Sequence, residues 1–129
     1  MTAFDVLVLA CPATEETRVI VNAQLLAEAR PGLILVNIAR GDLVVDRALI
    51  DALQSGKLGG AALDVFEVEP LPLDSPLLRM ENVMLAAHNS NASPAAWERV
   101  HWNTLRNLVE GLGMDASELE RFIESSANH

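Results

Sequence analysis

Arg40, the two glutamates Glu67 and Glu69, and His88 are the residues of this chain whose types could handle an anion and a proton. An imidazole titrates near neutral pH, so it can both take and return a proton. A guanidinium presents a planar fork of donors that grips a carboxylate in a way the point charge of lysine does not. A lone arginine at the end of an apolar run is usually a surface charge, but Arg40 is bracketed by Asn37 and Gly41, which speaks for a built turn. Glu67 and Glu69 both precede Pro70, and the residues by themselves do not choose between them. His101 falls inside a helical stretch and His129 is the last residue, so neither is assigned chemistry. Cys11 reads as a small hydrophobe at a strand end, and no metal site is read anywhere.

Such side chains need elements to carry them. Phe4 to Ala10 is a short apolar run stopped at Cys11-Pro12, which predicts a strand buried on both faces. Asn22 can cap a helix over Ala23 to Ala29, closed by Pro31-Gly32. Leu33 to Asn37 repeats the buried-strand pattern and runs on to an end at Arg40. Asp46 is expected to cap a helix from Arg47 to Ser55, with Gly56 as its left-handed stop. Ala61 to Val65 predicts a third strand after Gly59-Gly60, and Val83 to Ala86 a fourth, ending towards His88. Ser93-Pro94 opens a long helix whose stripe is Trp97, Val100, Thr104, Leu105 and Leu108, and Asp115 to His129 reads as a short terminal helix. Strands alternating with helices at this spacing predict an α/β fold built on an open parallel sheet. Ligands of such sheets bind beyond the carboxyl ends of the strands, where Pro12, Arg40, Asp64 and His88 all fall, so the topology alone nominates a crevice.

Composition narrows the function classes. Half of the 129 residues are apolar, enough for one core, and with two Trp, three Phe and no Tyr that core must be aliphatic. A net charge of −9, without any cluster of Lys or Arg, argues against nucleic acid and anionic membranes as partners. The N-terminal apolar run is one strand long and has no basic flank, so neither a signal peptide nor a membrane span is expected, and the chain reads as cytoplasmic. A single cysteine fits a reducing compartment.

Four blocks carry a more specific signal: Cys11 to Arg18, Val36 to Gly41, Ala62 to Pro70, and His88. In order and spacing they resemble the signatures of the D-isomer-specific 2-hydroxyacid dehydrogenases, over Phe4 to about Leu108. The resemblance implies the second half of a Rossmann-type NAD-binding domain over 1–110, with a helical tail over 111–129. It implies hydride transfer between NAD, with NADP not excluded, and a small D-2-hydroxy or 2-keto acid. Under it Arg40 holds the substrate carboxylate, His88 exchanges the hydroxyl proton, and Glu69, chosen over Glu67 because it adjoins Pro70, orients the imidazole. Asp64 would accept from the nicotinamide carboxamide or its ribose, while Pro12, Thr14, Ile38, Ala39, Arg40 and the backbone of His88, Asn89, Ser90 and Asn91 line the cofactor groove.

The chain also departs from the family pattern. Ala87 stands where a proline usually precedes the histidine, and Asn89-Ser90-Asn91 is polar. The glycines, Gly41, Gly56, Gly59, Gly60, Gly111 and Gly113 among them, nowhere form the G-x-G-x-x-G phosphate cradle after a strand. The strand Phe4 to Ala10, central in the family, is then expected at an exposed sheet edge, where it could pair with a second copy or a complementing chain. The alternative reading is a non-enzymatic interaction or co-repressor-like protein derived from the same family.

Overall fold

The computed structural model describes residues 4–90 and 92–115 together with 117, 119 and 121. Contacts divide the chain into two compact units, Met1–Ser90 and Asn91–His129. The first is a four-stranded, all-parallel sheet of β1 (Val6–Leu9), β2 (Leu33–Asn37), β3 (Leu58–Leu63) and β4 (Val83–Leu85), in the order β1-β2-β3-β4. Between β1 and β2 lies α1 (Ala23–Glu28), and between β2 and β3 lies α2 (Asp46–Gln54).

Pairing register explains which side chains meet. Leu7, Leu35 and Ala61 lie side by side, as do Leu9, Asn37 and Leu63, and the row continues through Val83 and Leu85. That face packs with Leu26 of α1 and Leu49 and Leu53 of α2 into an aliphatic core. The alternate residues Val6, Val8, Ile34 and Met84 point to the other face, which no element of residues 4–90 covers. The expectation of strands buried on both faces is therefore corrected: β1 and β2 alternate, because α1 and α2 stack on each other over one side only. β1 occupies the sheet edge, as expected.

Other boundaries move for local reasons. β2 ends at Asn37 instead of Arg40, because the Asn37 side chain takes over the Ala39 amide and the Arg40 carbonyl. β3 begins at Leu58 and contains Gly59 and Gly60, whose bare backbones pass close to the carbonyls of Gly32 and Asn82. Asp46 is the first residue of α2, not its cap; Glu67 Oε2 instead accepts from the Asp46 amide at 3.0 Å. Asn22 does cap α1, accepting from the Leu25 amide, and Gly56 follows α2 at φ +72°.

In the second unit, Ser93 accepts from the Ala96 amide and opens α3 (Pro94–Gly111) as read from the sequence. Most of the expected terminal helix, and Asn91, lie outside the described residues. Among the described residues no helix is long and apolar enough to cross a membrane.

Candidate functional site

Each strand delivers a loop to the same end of the sheet. Pro12 follows β1 and Arg40 follows β2, while Asp64 directly follows β3 and His88 follows β4. An open cleft of about 670 Å³ is lined by Cys11, Pro12, Ile38, Ala39, Arg40, Glu67, Glu69 and His88, among others. The crevice nominated from topology therefore brings together Pro12, Arg40 and His88. Asp64 does not line it: buried beneath, it borders a smaller groove of about 210 Å³ with Ile38, Asn89 and Ser90. Thr14 lines neither cavity, its hydroxyl lying 3.1 Å from that of Thr17 in a turn tied to the Pro12 carbonyl.

The expected His88–Glu69 pair is formed. His88 Nδ1 lies 2.8 Å from Glu69 Oε2, and the Phe66 amide donates to Glu69 Oε1 at 3.0 Å. The hydrogen bond from His88, reinforced by that amide, holds the Glu69 carboxyl below the usual carboxylate range. An ionised carboxylate only accepts, so Nδ1 carries the proton and Nε2 is the nitrogen left to face a reactant. Glu67, the other glutamate of the loop, is committed to the N-terminus of α2.

Arg40 is positioned by two residues that the sequence reading used only as brackets. Asn37 is buried, donates through Nδ2 to the Arg40 carbonyl at 2.9 Å and accepts from the Ala39 amide at 3.1 Å. These bonds fold Ile38 to Arg40 back over the strand end. Gly41 then meets the Phe66 backbone so closely that a Cβ would stand 1.8 Å from the Phe66 carbonyl oxygen. The arginine loop and the Glu69 loop are thereby clasped together. The guanidinium of Arg40 donates from Nη1 to the Ala39 carbonyl at 2.6 Å, and the side chain stays exposed in the cleft. A buried polar residue directly before a strand-end turn was the available signal for Asn37.

Asp64 is tied at both oxygens, accepting from the Asn89 amide at 2.8 Å and the Ser90 amide at 2.9 Å. Burial pushes its carboxyl up, but the two amides outweigh this and the pKa lies below the ordinary value. Glu69 is shifted the same way. Both groups therefore stabilise the fold above the ordinary carboxylate range and lose that contribution as pH falls towards their lowered values. Asp46, raised by burial and by Glu67, acts in the opposite sense and favours the fold only while protonated. Asp115, held by the Ser117 amide and hydroxyl, is lowered as well, so with Asp64, Glu69 and Asp115 against Asp46 the melting temperature is expected to fall as pH drops below about 4. A melting temperature that holds constant from about pH 7 to about pH 3 contradicts this balance.

Comparison with known proteins agrees with the geometry. Residues 1–90 match the model of the D-isomer specific 2-hydroxyacid dehydrogenase, NAD binding domain. The chain is 46% identical over 108 residues to glyoxylate/hydroxypyruvate reductase B of Escherichia fergusonii, covering 84% of this chain and 33% of that protein. It is 40% identical over 112 residues to the (S)-sulfolactate dehydrogenase of Chromohalobacter salexigens, with coverages of 87% and 36%. Among solved structures, a D-isomer specific 2-hydroxyacid dehydrogenase from Xanthobacter autotrophicus superposes with a TM-score of 0.72 at 39% identity, over 88% of this chain and 37% of that one. The D-lactate dehydrogenase of Treponema pallidum gives 0.79 at 30% identity, over 88% and 39%. The chain thus spans about a third of the length of the relatives it matches. It belongs to the NAD-binding domain family of the D-isomer specific 2-hydroxyacid dehydrogenases.

Proposed function

We propose that this chain supplies the substrate-anchoring and proton-transferring groups for hydride exchange between NAD(P) and a small 2-hydroxy or 2-keto acid. One observation carries the reading: Arg40 and the Glu69–His88 pair, delivered by different strands, line one cleft. Arg40 binds the substrate carboxylate, with its loop held by Asn37. His88, with Nδ1 engaged by Glu69, takes the hydroxyl proton at Nε2 during oxidation and returns it during reduction. Ionised Glu69 fixes the ring orientation through the hydrogen bond it accepts from Nδ1. The substrates in the names of the relatives above, glyoxylate, hydroxypyruvate and sulfolactate, all carry the anion this arrangement would hold.

The residues present suit the nicotinamide end of the cofactor. Ile38 offers an exposed apolar surface beside the strand ends, flanked by Pro12 and Ala39 on one side and by the Asn89 and Ser90 backbone on the other. These residues would hold the ring, which when bound supplies or accepts the hydride. The glycines of this sequence do not form a phosphate cradle, so the fit is to that end of the molecule.

Titration of the chain with glyoxylate or hydroxypyruvate, followed by NMR, tests the reading. Saturable shifts at Arg40 and His88 are expected, with at least about a tenfold loss of affinity in Arg40→Ala, since a charge-assisted bond to a carboxylate contributes about 1.5 to 3 kcal/mol. Methyl esters of the same acids should not bind. Equal binding of acid and ester, or no shift at either residue, overturns it.

A further inference from the structure

We propose that Asp64 is a positioning residue whose buried carboxylate holds the Asn89 and Ser90 amides and thereby fixes the turn that presents His88 to Glu69. The resemblance assigned Asp64 to the cofactor, yet each of its oxygens already accepts a backbone amide of the segment following His88. Asp64 itself cannot drift. Its side chain is buried, and its own amide donates to the Asn37 carbonyl at 2.9 Å, which ties it to the residue that also folds the Arg40 turn.

His88 has reason to need a clamp. Its φ is +54°, in the left-handed region that side chains with a Cβ rarely adopt, and the position before it is Ala87. β4 ends at Leu85, short of His88, so no ladder hydrogen bond fixes the His88 backbone. The next two amides, both aimed at one carboxylate, supply the restraint that local preference does not. In this way one buried acid after β3 governs the aim of the turn after β4.

The inference rests on the role proposed for Glu69 and His88, but its test uses neither cofactor nor keto acid, so the two can fail separately. In the full chain, the Glu69 carboxyl titration and the His88 ring nitrogen shifts are followed by NMR in wild type and Asp64→Asn. Asparagine keeps one acceptor and turns a donor towards the other amide. The expected result is loss of the His88 Nδ1–H hydrogen-bond signature, with the Glu69 pKa rising towards its ordinary value. Removal of charge alone acts the other way, because the Asp64 charge raises the Glu69 pKa and its loss would lower it. A Glu69 pKa that falls or holds, with the Nδ1–H signature retained, overturns the proposal. Ser90→Pro removes one of the two amides and leaves the Asp64 charge in place, and the same rise is expected. Should Asp64→Asn lack a cooperative melt, Ser90→Pro decides by the same two signals.

Discussion

Gly41→Ala is expected to destabilise the chain by about 3 kcal/mol and to abolish the keto acid binding proposed for the cleft. The added Cβ would stand 1.8 Å from the Phe66 carbonyl oxygen and 2.6 Å from the Glu67 nitrogen. Both are backbone atoms, so no side-chain rotation relieves the contact. Either the Arg40 loop or the Phe66–Glu69 segment must withdraw, and the same withdrawal parts Arg40 from the Glu69–His88 pair. Gly111→Ala is the matched control, since a Cβ added there meets nothing within 4 Å and the residue ends α3. There the change is expected to be neutral or to stabilise by up to about 1 kcal/mol. Chemical denaturation of the two variants and keto acid titration of each would show the contrast; equal stability of both contradicts the clasp.

Leu35→Ala is expected to cost about 2 to 5 kcal/mol. Leu35 is fully buried, on the strand that pairs with both β1 and β3, and it faces the helices. For a small domain whose whole stability is about 5 to 15 kcal/mol, that loss takes away much of the margin. The adjacent Ile34 lies on the uncovered face and is 43% exposed, so Ile34→Ala should cost about 1 kcal/mol or less. A urea midpoint that drops for Leu35→Ala and barely moves for Ile34→Ala, at equal slope, is the expected signature. Similar losses at both positions would mean that the second face is covered in solution.

The sequence showed most of the element order because the apolar runs are short and punctuated by Pro12, Pro31 and Gly56. Caps at Asn22 and Ser93 were legible because their side chains bond within three residues. Glu67 as the partner of the α2 N-terminus was not, since it comes from 21 residues away. The two-faced burial of β1 and β2 was misjudged for a related reason: a continuous apolar run records what a strand tolerates, not which layers are present. At the site, the resemblance supplied Arg40, Glu69 and His88, and the strand ends explain why they converge. The cross-loop bonds of Asp64 and the close approach at Gly41 depend on tertiary register, which periodicity does not encode.

The strand order β1-β2-β3-β4 means that every strand pairs with its neighbour in sequence. Each closure spans one crossover, so contact order is low for a parallel sheet and folding can advance strand by strand. During synthesis β1 and β2 can zip once β2 has followed α1 out, and each later strand finds its template already laid. His88 is then the last of the cleft's chemical groups to arrive, and the cleft matures only when the first unit is complete.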